Sequence, residues 1–387
     1  MSPQLRIMLV FFLQPVAFGA WLPRIPDVQA ALGVGPATLA LALLGMPAGI
    51  LLTLPVAGGL VGRIGARRTI IWGFPVFLAL VALPPLAPSV PLLFCALAVV
   101  GSALSVLELG LNVMADEIEK RSGRPIMSTC HGFWSLGIMA GSLVGAGLAG
   151  LALPPFPGVF GPALAVLPVA LVLARGLPAL PPAPAAAPAE RPRLPGPALL
   201  GICLFTFGIT MTEGAVADWS AVFLRETFAA PAGQAGLGYS LFALMVAAGR
   251  FGGDALKLRF GAVPLARACG LLAVAGVLAL ALAPSTPLAL AAFGAIGLGA
   301  SVGFPLAVTA AAGLGDRSAA SNVATLSFVA LIGFLVGPPL IGFVAEATGL
   351  RIGLAMLLPG LLVSLALAGR LGGGQAAPAA RTAPEAA

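Results

Sequence analysis

Twelve apolar runs, each long enough to cross ~30 Å of hydrocarbon as a helix, follow one another along this chain with short polar breaks between them. They fall at about 5–22, 36–61, 69–87, 90–115, 128–152, 157–175, 197–221, 234–252, 262–283, 286–311, 321–345 and 351–370. Inside a bilayer no water satisfies backbone N–H and C=O groups, so lipid-spanning runs of this length fold as helices. Hydrophobic residues make up 59% of the chain and charged residues 9%, where a typical soluble domain carries ~25% charged residues. The expected fold is therefore an all-α membrane protein with twelve transmembrane helices.

The net charge of +7 would suit a nucleic-acid partner if the basic residues formed one patch. They do not. All 20 Lys and Arg except Arg24, Arg225 and Arg351 fall at the two termini or toward the even-numbered loops, which is the positive-inside pattern and places both termini in the cytoplasm of a bacterial-type inner membrane. No nucleic-acid partner is expected, and the bilayer accounts for the charge asymmetry. The first run leads into Trp21-Leu22-Pro23-Arg24 without a small-residue cleavage site, so it reads as an uncleaved first span. Cys95, Cys130, Cys203 and Cys269 lie in or beside the runs without a CxxC pair, and suggest neither a disulfide framework nor a metal site.

Residues 176–196 are dominated by Pro and Ala, with Glu190, Arg191 and Arg193. Such a composition cannot bury a core and suits an extended cytoplasmic linker. It separates a first half, 1–175, from a second, 197–370, with a short disordered cytoplasmic tail at 371–387. The halves echo one another: Trp21…Arg24 leads through a span into Arg63-Ile64-Gly65-Ala66, and Trp219…Arg225 leads through a span into Arg259-Phe260-Gly261-Ala262. Paired six-helix halves with a solute site between them are a transporter architecture. Gly137, Gly141, Gly145 and Gly147 in the fifth run, and Gly333, Gly337 and Gly342 in the eleventh, offer small faces for close helix approach. Pro338-Pro339 is expected to break or kink the eleventh helix.

Glu108 is the one charge between Arg68 and Asp116. A carboxylate in an apolar span costs a few kcal/mol at least and faces protein or water rather than lipid. Gly101, Ser105, Glu108 and Asn112 share one helix face by their spacing. The group either fixes helix packing through a hydrogen bond or exchanges a proton. No Lys or Arg is expected at its depth, which favours a protonatable acid over a permanent ion pair. In the seventh run Thr206, Thr210 and Glu213 share a face, with Asp218 and Trp219 nearer the periplasm. A carboxylate beside an aromatic ring can hold a polar solute such as a sugar, the alternative for Glu213 being a pair with Asn322. Asp218 reads as solvated or Arg-paired. Gln14, Phe18 and Trp21 share a face of the first helix; Gln14 is a cavity candidate and Trp21 a cavity residue or interfacial anchor. Arg24 and Arg225 read as periplasmic gate or capping residues. His131, the lone histidine, suits a helix-end hydrogen bond or a proton relay with Glu108. No phosphate loop, metal cluster or nucleophile elbow is present, so neither an enzyme nor an ATP-driven pump is indicated and no cofactor is expected.

The loop Gly58-Gly59-Leu60-Val61-Gly62-Arg63-Ile64-Gly65-Ala66-Arg67-Arg68 resembles the cytoplasmic G-x-L-a-D-R-x-G-R-[RK] motif of the major facilitator superfamily, and the likeness extends over essentially the whole chain. It departs at Gly62, where the motif has an acid implicated in gating; Asp254, in the matching loop of the second half, is a candidate substitute. Residues 19–26, 108–112, 130–137 and 213–220 are similar to the fucose-permease-like branch, within it the YbjJ/MosC-type group. That resemblance implies two six-helix bundles, proton coupling at the fourth-helix acid, Glu108, and sugar recognition at the seventh-helix acid, Glu213.

The expected function is secondary transport of a small polar, sugar-like solute by alternating access, as a monomer driven by the proton gradient. The cavity is expected to draw on the first, fourth, seventh and tenth helices. Glu108, Asn112 and His131 are the proton-coupling candidates; Gln14, Trp21, Glu108, Asn112, Thr210, Glu213 and Trp219 the solute-binding ones; and Gly58, Arg63, Gly65, Arg67, Arg24, Arg225 and Asp254 the gating ones. Proton-coupled efflux of a metabolite or drug is the alternative, and a non-transporting membrane sensor or scaffold a remote one.

Overall fold

The computed structural model describes residues 1–179 and 195–372. Within them twelve helical units are long and apolar enough to cross a membrane: α1 (Pro3–Leu32), α2 (Pro36–Ile64), α3 (Ala66–Leu86), α4 (Val90–Ser122), α5 (Met127–Gly150), α6 (Pro155–Arg175), α7 (Pro197–Phe228), α8 (Ala232–Phe260), α9 (Ala262–Leu282), α10 (Thr286–Ala312), α11 (Ser321–Thr348) and α12 (Leu350–Gly372). Most of the expected linker, including Glu190, Arg191 and Arg193, and the tail beyond residue 372 lie outside the described residues. The even number of crossings puts the start of α1 and the end of α12 at one end of the molecule, here the terminal end; the other is the distal end.

Helix breaks follow from missing proline donors. α2 is interrupted after Leu43, α10 at Ser301 and α12 after Ala355. Each position is four residues before a proline (Pro47, Pro305, Pro359), whose absent N–H leaves that carbonyl without its helical partner. α1 is divided more strongly, into Pro3–Leu13, Val16–Trp21, a 3-10 turn at Leu22–Arg24 and Ile25–Leu32, by Pro15, Pro23 and Pro26. The tandem Pro338-Pro339 behaves otherwise. The helix does not break: it persists from Ala319 to Thr348 through both prolines. Trp219 of α7 donates its indole N–H to the Pro338 carbonyl at 3.2 Å, tying α7 to α11 beside the prolines.

Glycines permit the tightest crossings. A Cβ on Gly137 or Gly141 of α5 would run into the carbonyl oxygens of Phe12 and Val16 on α1, whereas one on Gly147 would meet nothing within 4 Å. Gly65 and Gly261, at φ +85° and +84°, close α2 and α8 at matching places in the two halves, a backbone region that glycine enters without a steric penalty. The outer surface carries Leu52, Leu258 and Leu282 well exposed, the composition that hydrocarbon rather than water accepts.

Candidate functional site

A cavity of about 640 Å³ lies between the two six-helix halves. α1, α4 and α7 line it as expected, but α10 contributes Phe304 while α2, α5, α8 and α11 supply much of the remaining wall. Its floor toward the distal end is closed by α2 packed on α11. There Gly342 of α11 presses on Ala40 and on the Pro36 carbonyl, and Glu346 accepts a hydrogen bond from the Ala37 backbone N–H at 3.0 Å, at the positive N-terminus of α2. Farther along the same helices, Ile50 and Leu54 face Ala324, Ser327 and Phe328 across the cavity, which therefore extends toward the terminal end.

Glu108 lines this cavity. Among the described residues no side chain pairs with or hydrogen-bonds its carboxylate. The rest of its expected polar face is used elsewhere: Gly101 packs on the Met46 carbonyl of α2, Ser105 is buried, and Asn112 donates to the backbone carbonyl of Glu108 at 2.9 Å. Asn112 thus serves its own helix and is not part of the cavity wall, because an amide one turn along reaches its own i−4 carbonyl.

On α7 the cavity face is Thr210, Glu213, Gly214, Ala217 and Asp218. Thr210 returns its hydroxyl to the Thr206 and Phe207 carbonyls. Glu213 does not pair with Asn322, which is fully buried and bonds Asp316 instead at 2.8 Å. Glu213 stands 3.7 Å from the Arg250 guanidinium of α8. Asp218, expected to be solvated or paired with Arg, faces the cavity without an ion pair among the described residues. Trp219 is the clearest correction: it is 0% exposed and packed in the α7–α11 seam. Six residues past Glu213 at 100° per residue falls on the far side of the helix, so it cannot stack on a solute held by Glu213.

Arg250 is the functional group that sequence reasoning missed. The apolar run ends at 252 in the sequence, yet α8 continues to Phe260, placing Arg250 ~15 Å before the helix end at 1.5 Å per residue. The expectation of no cation at this depth is therefore corrected. Arg250 also donates to Ser135 Oγ of α5 at 2.7 Å, joining the two halves. It is committed to Ser135 and Glu213 rather than to Glu108.

Gln14 and Trp21 line the cavity. Gln14 is completely buried and sits where α1 breaks; its Oε1 accepts from Trp134 Nε1 at 2.8 Å, while its Nε2 has no partner. His131 also faces the cavity. Its ring stands edge-on to Phe11, centroids 5.6 Å apart, and among the described residues no hydrogen bond joins it to Glu108 or to a helix end.

The residues read as gates separate by end. At the distal end Asp27, which the sequence reading passed over, bonds Arg24 at 3.2 Å and Arg225 of the second half at 2.7 Å. Arg24 is 2% exposed. Beside it Gln29 donates to Glu226 at 2.8 Å. The signal lay in spacing: an acid three residues after Arg24 is one turn away and within reach. At the terminal end, Cβ atoms on Gly58, Gly59 and Gly62 would meet nothing within 4 Å. Arg63 and Asp254 are exposed, and Arg67 donates to the Arg175 carbonyl.

A family model for the Major Facilitator Superfamily matches residues 7–223. An uncharacterized MFS-type transporter of Yersinia pestis is 30% identical over 353 residues, 91% of each chain. The membrane protein MosC of Rhizobium meliloti is 32% identical over 368 residues, 92% of this chain and 87% of MosC. Among solved structures, an inward-facing, unoccupied bacterial homolog of the human lysosomal transporter Spinster superposes with a TM-score of 0.75 at 16% identity, covering 97% of this chain and 98% of that one. The E. coli fucose:proton symporter FucP superposes at 0.64 with 19% identity, covering 95% and 98%. Twelve helices in two bundles around one central cavity, with these matches along the chain, make it a member of the major facilitator superfamily, a transporter and not an enzyme.

Proposed function

We propose that this transporter couples proton entry to uptake of a small polar solute, with Glu108 as the proton carrier and the Glu213–Arg250 pair as a solute contact. The secondary, alternating-access mode comes with the family; the coupling and the solute class are the added reading. The observation that carries it is the unequal treatment of the carboxylates in one cavity, where Glu108 and Asp218 lack the cation that Glu213 has. Glu213 has a guanidinium within 3.7 Å. Glu108 has no cation, so its ionised form lacks compensation and proton uptake relieves the cost of burying it.

Two charges held 3.7 Å apart also give a solute hydroxyl both an acceptor and a donor in one place. Gln14, with its amide nitrogen unpartnered, adds a further donor. With the termini in the cytoplasm, as the positive-inside pattern indicates, the cavity is in its inward-open arrangement. Solute and proton would leave by the terminal end, after which the distal contacts must part to reload. FucP, a fucose:proton symporter of the same fold, supports this kind of coupling.

Glu108→Gln tests the proposal. In right-side-out vesicles, with a solute identified by thermal shift among sugars, polyols and amino acids, the variant should lose accumulation driven by a pH gradient yet retain exchange of labelled for unlabelled solute. A Glu108→Gln protein that still concentrates the solute would overturn the assignment. Inverted vesicles that accumulate solute when acidified inside would reverse the direction.

A further inference from the structure

The cavity carries three carboxyl groups, Glu108, Glu213 and Asp218, against a single arginine, Arg250, in a protein whose net charge is +7. The excess of acid is local and opposite in sign to the whole molecule. Arg250 is engaged by Glu213 and Ser135. If Glu108 takes a proton, one carboxylate in the wall still lacks a cation: Asp218.

Packing offers no explanation for Asp218. Neither oxygen is hydrogen-bonded to a described residue, and its neighbours on the lining face of α7, Gly214 and Ala217, cannot bond it. An isolated carboxylate in a mostly apolar cavity is costly unless a proton neutralises it or a cation meets it; with the proton assigned to Glu108, the cation falls to Asp218. Trp21 and Tyr239, in the same wall, add aromatic surfaces that attract an organic cation. Gln14 Nε2, on a fully buried side chain, is a donor with no partner and calls for an acceptor such as a hydroxyl or ether oxygen. An anionic solute would meet net negative charge, with the one arginine of the wall already facing Glu213.

We infer that the transported solute is a hydroxylated amine, its ammonium held by Asp218 and an oxygen held by Gln14. This rests on the proposed uptake function and names its solute class. The two acids then have separate tasks. The ammonium meets Asp218 on α7, and the proton meets Glu108 on α4 in the other half, so cation and proton do not compete for one carboxylate and can move together.

The test is binding to purified full-length protein, by thermal shift and by calorimetry, of matched trios: glucosamine, glucose and N-acetylglucosamine; galactosamine, galactose and N-acetylgalactosamine; 1-amino-1-deoxysorbitol, sorbitol and its N-acetyl derivative. The expected result is that at least one free amine binds and that its hydroxyl and N-acetyl counterparts bind at least about tenfold more weakly, the scale of one lost buried charge pair. Asp218→Asn should abolish that preference by weakening the amine alone, with Asp218→Glu restoring part of it and fluorescence-detected gel filtration confirming that both variants fold. The inference is overturned if a neutral member binds as tightly as its amine, if no amine in the set binds, or if Asp218→Asn keeps the preference. Because these are equilibrium binding readouts, they are independent of proton coupling. An amine that binds while Glu108→Gln still accumulates it would sink the coupling and leave the solute class intact. Proton-driven accumulation of a neutral sugar would do the reverse.

Discussion

The two ends of the molecule close by different chemistry. At the distal end charge is taken inward: Arg24 is buried against Asp27, Asp27 reaches across to Arg225, Gln29 reaches Glu226, and Glu346 sits on the N-terminus of α2. At the terminal end the loop from Gly58 to Arg68 carries three arginines but glycine at the place of the superfamily acid, and those glycines border open space. The comparison teaches that the gating residues of such a chain cannot be assigned by motif alone. The motif glycines meet nothing within 4 Å, and the ion pair that joins the halves at the distal end comes from residues outside the motif.

Asp27→Ala should have the largest effect. It removes the partner of a guanidinium that is 2% exposed and cuts the ion pair between halves; leaving a buried charge unpaired costs about 3–5 kcal/mol. The expected outcome is a lowered melting temperature and faster maleimide labelling of a cysteine placed at Ala40 in the distal seam. Adding Arg24→Leu should restore much of the stability, because an apolar replacement of the whole pair is tolerated. Labelling unchanged from the parent would mean that the distal charges do not hold this end shut.

Gly342→Ala comes next. The new methyl would collide with Ala40 and stand 2.8 Å from the Pro36 carbonyl, and overpacking of this kind costs ~1–3 kcal/mol. Labelling at the distal seam should rise with little loss of fold. Gln29→Ala, which removes its bonds to Glu226 and to the Val34 carbonyl, should be smaller still, ~1 kcal/mol per hydrogen bond, read as a small rise in the same labelling.

How far these regions were readable in sequence follows the physics of each. Hydropathy runs report the bilayer directly, so the helices and their number were legible. Glu108 was legible because a lone carboxylate in a long apolar run has few places to go. Arg250 was not, since a positive charge near the end of a run looks the same whether the helix stops or continues past it. Trp219 was misplaced because proximity in sequence was taken for proximity on a face. Asp27 was missed because its significance depends on Arg225, about two hundred residues away, and only tertiary packing brings them together. Prolines mark breaks at Pro47, Pro305 and Pro359 but not at Pro55, Pro75, Pro162, Pro168 or Pro338-Pro339, which all lie inside continuous helices.

The smallest effect in the present arrangement, and the one that most sharpens the contrast between the ends, is expected from Gly62→Asp, which restores the acid of the superfamily motif. Nothing lies within 4 Å of a Cβ at this position, so the side chain meets no steric obstacle, and a surface change of this kind alters stability by about 0.5 kcal/mol or less. Its consequence belongs to the opposite conformation. When the terminal end closes, α2 approaches the second half, and an acid at 62 gains partners that glycine cannot offer. A ligand or contact shifts a two-state balance only by its difference between the states. The variant should therefore leave the melting temperature nearly unchanged while raising distal-seam labelling, the same direction as Asp27→Ala but by gain at one end rather than loss at the other. The two changes act on separate ends of one equilibrium, and their combined shift should be additive in free energy. If Gly62→Asp instead lowers distal labelling, the acid strengthens the arrangement described above, and the distal contacts are not balanced against the terminal loop.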